Sequence, residues 1–124
     1  MEDIAGLRIL VVEDEYLVAM AVEATLMSFG CEVVGPHARL PAALAAAEDA
    51  ALDGAILDVN VAGEEVWPVA EVLARRGIPF VFATGYDGEA VLPGHWRMAP
   101  FLKKPFDARL LKRRLAEVCR PSRS

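Results

Sequence analysis

Asp58 ends an otherwise apolar run in the stretch GAILDVNVAG. A buried carboxylate without a partner is costly to desolvate, so such a residue normally has an ionic partner, a metal ion or a chemical task. Other polar residues follow apolar runs in the same way: Glu13 and Asp14 follow LRILVV, Thr84 ends IPFVFAT, and Lys104 lies in FLKKPF. Together these residues could supply a metal site and a nucleophile.

Phosphoryl transfer is the chemistry that these residue types fit. Crowded carboxylates repel one another unless a cation neutralises them, and oxygen ligands with access to water suit Mg²⁺. Such a cation orients a phosphoryl group and neutralises its charge. Asp58 would be the nucleophile, Thr84 a hydroxyl donor to a phosphoryl oxygen, and Lys104 a fixed cation paired with it. Taken singly, each residue also fits a turn, a helix cap or a solvated position.

Alternating strand and helix patterns would position these residues. Short apolar runs predict strands, and apolar residues at helical intervals with glycine stops predict helices. The predicted strands are 7–12, 31–36, 54–59, 78–84 and 101–106. The predicted helices are 16–30, 40–50, 64–77, with Pro68 in its first turn or at a kink, and 107–119, with Asp107 as N-cap. The pattern fails over 85–100, which leaves room for a helix of at most a turn or two around 88–91.

This alternation predicts a parallel α/β sheet with helices on both faces. In such a sheet, sites form beyond the carboxyl ends of the strands. All of the candidate residues fall at that edge, while the strands themselves are almost wholly apolar.

The composition indicates one globular domain over residues 1–124, with 55% hydrophobic and 25% charged residues. No run is apolar enough to span a membrane, and the acidic N-terminal segment is unlike a signal peptide, so we expect a cytoplasmic protein. The net charge of -5 disfavours direct nucleic-acid binding. Cys31 and Cys119 lie far apart and fit packed thiols better than a disulfide or a zinc site. We assign no ligand role to His37 or His95, and we expect Trp67 and Trp96 to be packing residues.

At the motifs VVEDE, ILDVN, FATGY and LKKPF the chain resembles the receiver domains of two-component response regulators, from about residue 7 to residue 118. The resemblance implies a flavodoxin-like, doubly wound five-stranded sheet in the order 2-1-3-4-5. FATGY with a weak fourth helix further resembles the subgroup called FATGUY receivers. No output domain follows the last helix, so we expect either a single-domain regulator or an excised receiver.

The resemblance also implies roles for individual residues. Asp58 would be the phosphoacceptor, with Thr84 and Lys104 beside it. Mg²⁺ (or Mn²⁺) would be held by Asp14, Asp58 and the main-chain carbonyl of Asn60, with Glu13 acting through water. The bond between Lys104 and Pro105 would be cis.

The implied switch involves Thr84, Tyr86 and Phe101. Two departures from the family pattern bear on it. Phe101 lacks the hydroxyl of the aromatic residue that often changes rotamer at this position. The Met-Pro pair that many receivers carry after the phosphoacceptor is absent, and Asn60, Val61 and Ala62 occupy that loop.

The implied partner is a sensor histidine kinase or a phosphotransfer protein, and the chain would be a monomer or a phosphorylation-dependent dimer. It would not be an enzyme beyond its own phosphorylation and dephosphorylation. Three alternatives remain open. A haloacid-dehalogenase-like phosphatase would carry its nucleophile on the first strand. A nucleotide- or flavin-binding module would need a glycine-rich first loop, and VVEDEY has no glycine. A pseudo-receiver that docks without phosphate would usually lose one of the key residues.

Overall fold

A five-stranded parallel sheet organises the part of the chain, residues 3–85 and 92–119, that this computed structural model describes. The strands are β1 (Arg8–Val12), β2 (Glu32–His37), β3 (Gly54–Asp58), β4 (Asn60–Val61), β5 (Glu64–Glu65), β6 (Phe80–Thr84) and β7 (Phe101–Lys103). The helices are α1 (Tyr16–Ser28), α2 (Leu40–Asp49), α3 (Trp67–Arg75) and α4 (Ala108–Val118), with a 3-10 turn at Gly94–Trp96.

The main sheet has the order β2-β1-β3-β6-β7, and all of its neighbouring strands run parallel. Strands β4 and β5 form a separate two-stranded ribbon. With that ribbon set aside, the observed order is the predicted order 2-1-3-4-5, which is confirmed. The short helix predicted around 88–91 lies outside the described residues.

Helices pack on both faces of the sheet because its strands alternate between two cores. Along β1, Ile9 and Val11 enter one core, which also contains Leu26 of α1 and Leu115 of α4. The intervening residues Leu10 and Val12 enter the other core, with the buried residues of α2 and α3. That second core contains four aromatic rings in edge-to-face contact: Trp67, Phe80, Phe82 and Trp96. The packing roles predicted for both tryptophans are therefore confirmed.

The prediction of a helix over 64–77 is wrong at its start. Glu64 and Glu65 form β5, which pairs antiparallel with β4, and the helix begins at Trp67 with Pro68 in its first turn. The chain reverses at Ala62 and Gly63, which both have positive φ, of 52° and 86°. This reversal returns the chain along β4 before a helix can begin.

Helix ends follow the predicted signals more closely. The side chain of Asp107 accepts a hydrogen bond of 2.7 Å from the Leu110 amide, so the predicted N-cap of the last helix is confirmed. Gly30 follows α1 with a φ of 87°, a conformation that glycine adopts without strain. The longest of the described helices, α1, has 13 residues, and none of them combines the length and apolar character needed to cross a membrane.

Both cysteines are buried and free. Burial raises the pKa of the Cys119 thiol to about 12, so the thiol stays protonated and packs as an apolar group. Its sulfur lies against Gly54 at the start of β3, where an added Cβ would overlap Cys119 Sγ. A glycine is therefore needed at this position for close packing.

We expect Gly54→Ala to lower the free energy of unfolding by about 1 to 3 kcal/mol, because overpacking forces the strand or the last helix to shift. Urea unfolding would measure the loss. In a Cys119→Ala background the clash is removed, and the same substitution should cost much less. An equal cost in both backgrounds would show that the sulfur is not the obstacle.

Candidate functional site

The carboxyl ends of four strands bring the predicted site residues to one edge of the sheet. Glu13 and Asp14 follow β1, Asp58 ends β3, Thr84 ends β6, and Lys104 follows β7. Carboxylate oxygens of Glu13, Asp14 and Asp58 all lie within 4.8 Å of one another. Acids from two distant parts of the chain thus form one acidic cluster.

Lys104 is the cation that faces this cluster. Its Nζ lies 2.8 Å from Glu13 Oε1 and 3.4 Å from Asp58 Oδ2. A third acid, Glu15, has Oε1 at 3.7 Å from the same Nζ. The side chains of Lys104, Glu13 and Asp58 are only 16%, 5% and 10% exposed, whereas that of Glu15 is 67% exposed. Two nearly buried carboxylates therefore share one nearly buried ammonium.

Burial and a neighbouring carboxylate both disfavour the ionised form of Asp58. Burial, followed by the charge of Glu13, raises the pKa of Asp58 to about 7, against the opposing effect of Lys104. Burial acts to lower the pKa of Lys104, but its hydrogen bond to Glu13 and the charges of Asp58 and Glu13 outweigh this and raise it. The ammonium is thus held in its charged form.

Main-chain amides also contact two of the acids. Glu13 Oε2 accepts a hydrogen bond of 3.1 Å from the Glu15 amide, and Asp14 Oδ2 accepts one of 2.9 Å from the Ala62 amide. Asp14 is the least buried of the three clustered acids. Asn60, in β4 two residues after Asp58, is exposed; the role of its carbonyl as a metal ligand stays a prediction.

The donor set of the cluster fits a divalent cation. Three carboxylates face a single close ammonium among the described residues. Burial, and after it the charge of Glu13, raises the pKa of Asp58, and a second cation would oppose both effects. All of the ligand atoms are oxygens and part of the cluster remains open, conditions that suit Mg²⁺. The residues present therefore fit the metal that the family resemblance implies.

Thr84 is buried at 2% exposure. Its carbonyl accepts a hydrogen bond of 2.7 Å from the Lys104 amide, which ties the end of β6 to the residue after β7. Phe101 is half-buried and begins β7, paired with Phe82. Tyr86 lies outside the described residues. The Lys104–Pro105 bond is cis, and so is Gly35–Pro36, which sequence reasoning did not anticipate.

Two groups near the site were missed from the sequence. Glu15 lies close to Lys104, and the third acid of the EDE run was the signal that could have identified it. The Ala62 amide donates a hydrogen bond to Asp14. Because the donor is a main-chain group, no residue type in the sequence indicates this contact. His95, which is assigned no ligand role, has Nε2 at 3.2 Å from Glu71 Oε2, and both side chains are exposed.

Solved structures of other proteins resemble this chain in both fold and sequence. No family model and no curated protein matches the chain. Among solved structures, SdrG from Sphingomonas melonis Fr1 is 45% identical over 90% of this chain and 94% of its own, with a TM-score of 0.79. The BeF3-activated conformation of SdrG from Pseudomonas melonis Fr1 matches at 45% identity over 91% of this chain and 96% of its own, with a TM-score of 0.75.

Two further structures extend the match. The receiver domain of sensor histidine kinase PA1611 from Pseudomonas aeruginosa PAO1, which has a magnesium ion coordinated in its active site cleft, is 26% identical over 93% of this chain and 98% of its own, with a TM-score of 0.80. The response regulator PhyR from Brucella abortus is 30% identical over 95% of this chain and 49% of its own, with a TM-score of 0.81. The fold, the acidic cluster and these matches agree, and this chain belongs to the receiver domains of response regulators.

Proposed function

We propose that this receiver accepts a phosphoryl group on Asp58 from the phosphohistidine of a sensor histidine kinase or phosphotransfer protein, in a reaction that depends on Mg²⁺ or Mn²⁺. The phosphorylated form then binds a downstream protein differently from the unphosphorylated form. The observation that carries this proposal is the cluster of Glu13, Asp14 and Asp58, in which Lys104 pairs with the two buried acids, Glu13 and Asp58. Such a protein acts on no substrate beyond its own phosphoryl group, and we expect it in the cytoplasm.

The reaction requires Asp58 to be ionised when it attacks. One of its carboxylate oxygens forms a bond to phosphorus, the P–N bond to the donor histidine breaks, and a proton neutralises the departing imidazole. Asp14, Asp58 and the main-chain carbonyl of Asn60 would hold Mg²⁺, with Glu13 acting through water, and the ion would neutralise charge on the phosphoryl oxygens.

Lys104 and Thr84 contribute the fixed donors. With its Nζ 3.4 Å from Asp58 Oδ2, Lys104 is close enough to pair with an oxygen of a phosphoryl group carried on Asp58. The Thr84 hydroxyl would donate to another phosphoryl oxygen. Both groups are nearly buried, so their charge and dipole are less screened than on an open surface.

The switch follows from competition for Lys104. In this form Lys104 pairs with Glu13 and Asp58, and a phosphoryl group adds further negative charge and three strong acceptor oxygens. Because the Lys104 amide is bonded to the Thr84 carbonyl, a movement there shifts β6 against β7. We propose that Thr84, Tyr86 and Phe101 move together. Amide exchange across 84–103 that is identical with and without beryllofluoride would contradict this placement of the switch.

Intact-mass spectrometry after incubation with acetyl phosphate tests the chemistry. We expect one phosphoryl group on the native chain with Mg²⁺, none after chelation, and none on Asp58→Asn under either condition. Lys103→Met, which alters an exposed lysine next to the site, is the control and should retain the adduct. An adduct on Asp58→Asn would reject Asp58 as the phosphoacceptor. Absence of the adduct from the native chain after rapid quenching would reject the proposal and favour a phosphate-independent docking module.

A further inference from the structure

The ribbon of β4 and β5 lies directly after the phosphoacceptor strand, in the segment where the chain lacks the Met-Pro pair. Its turn is made by Ala62 and Gly63, with φ of 52° and 86°. Among the described residues, Ala62 is the one non-glycine residue with a positive φ. An L residue adopts this conformation only where its surroundings hold it there, and such strain concentrates at functional sites.

Both ends of the ribbon are fixed. At its base, the Val66 amide donates a hydrogen bond of 2.9 Å to the Val59 carbonyl. The side chain of Val61 is fully buried in the core shared with α2 and α3. At its tip, Asn60 Oδ1 accepts a hydrogen bond of 3.1 Å from the Gly63 amide. The main-chain N–H of Ala62 is therefore held in a defined direction.

That N–H contacts a residue far away in the sequence. It donates a hydrogen bond of 2.9 Å to Asp14 Oδ2, linking the tip of the ribbon to the loop after β1. Asp14 is the least buried of the three clustered acids, so its side chain has the most rotamers to lose when it binds an ion. The amide engages one oxygen and leaves the other oxygen of the carboxylate for a further partner.

We propose that the Ala62 main-chain N–H is a positioning group that fixes the Asp14 carboxylate for the divalent cation. This inference rests on the proposed function, because it assumes that the acidic cluster binds Mg²⁺. Hydrogen bonds that orient a metal ligand typically change affinity by about 10- to 100-fold when they are removed. The unusual conformation of Ala62 is then explained, because it directs the Ala62 N–H towards Asp14.

Titration of the full chain with MgCl2 alone, followed by the amide signals around Asp58, tests the inference. Ala62→Pro removes the N–H and also cannot adopt the positive φ of this turn, and it should weaken Mg²⁺ binding by about tenfold or more. Ala62→Gly keeps the N–H and tolerates positive φ, so its affinity should stay within about twofold of the native value.

Gly63→Ala provides a second variant in case the proline substitution prevents folding. A Cβ at Gly63 meets no atom within 4 Å, so the substitution strains only the turn. Gly77→Ala is its matched control, since Gly77 also has a positive φ, of 73°, and open space for a Cβ, but follows α3. Both variants should lose similar stability, and only Gly63→Ala should also lose Mg²⁺ affinity.

The outcomes separate this inference from the proposed function. Native binding that is weakened by Ala62→Pro and Gly63→Ala, but not by Ala62→Gly or Gly77→Ala, supports the positioning role. Native binding that is equal in all variants overturns the positioning role and leaves the proposed function standing. Absence of Mg²⁺ binding to the native chain overturns both.

Discussion

Lys104→Met should lower the free energy of unfolding by about 2 to 4 kcal/mol near pH 8 without divalent cations. The substitution keeps a long apolar side chain but removes the ammonium that lies 2.8 Å from Glu13 and 3.4 Å from Asp58. Both carboxylates are buried, so they would be left without their shared counter-ion in a poorly solvated site. Urea unfolding of the native chain and the variant would measure the loss.

Lys103→Met is the matched control, because Lys103 precedes Lys104 and is exposed. Its effect should stay within about 0.5 kcal/mol. The loss in Lys104→Met should shrink as the pH falls towards about 4, since protonation of Asp58, whose pKa is raised to about 7, removes unpaired charge. Mg²⁺ should also restore part of the stability. A loss that is the same at both pH values, or matched by Lys103→Met, would show that the ion pairs are not its cause.

Asp58→Asn should have the opposite effect and raise the free energy of unfolding by about 1 to 3 kcal/mol near pH 8 without divalent cations. Burial and the charge of Glu13 raise the pKa of Asp58 from 3.8 to about 7. A carboxyl group with a higher pKa in the folded state binds more protons there, so the native chain loses stability as the pH rises between these two values. The neutral amide removes that cost.

The gain should therefore be full above pH 7 and should fade as the pH approaches 4. Asp107→Asn is a suitable control, since Asp107 is an exposed N-cap and asparagine caps helices as well as aspartate does. Mg²⁺ should reduce the difference in free energy of unfolding between Asp58→Asn and the native chain, because it stabilises the native chain, which has all three carboxylates of the acidic cluster. A less stable Asp58→Asn protein, or a gain that does not change with pH, would contradict the electrostatic account of the site.

The sequence was sufficient to predict which residues meet at the site, because one geometric rule carries the prediction. Parallel strands have their carboxyl ends at the same edge, so the residues that follow them converge wherever the strands are identified correctly. The strands here are short apolar runs bounded by glycine and charge. The meeting of Glu13, Asp58 and Lys104 followed from that pattern without any knowledge of side-chain contacts.

The ribbon after Asp58 could not be predicted in the same way. Ala62 adopts a left-handed conformation that alanine rarely takes, and only the following Gly63 hints at a turn. The acids at 64 and 65 instead resemble the first turn of a helix, which led to the wrong helix start. The contact between Ala62 and Asp14 is made by a main-chain amide, so it cannot be predicted from the types of the residues.

Borohydride reduction followed by peptide mapping tests the central claim most directly. An acyl phosphate on aspartate is reduced to homoserine, so the native chain treated with acetyl phosphate and Mg²⁺ should yield homoserine at position 58. The sample without Mg²⁺ should yield none. Homoserine at position 14 instead, or unmodified aspartate at position 58 in a sample that carries a phosphoryl adduct, would contradict the assignment of Asp58 as the phosphoacceptor.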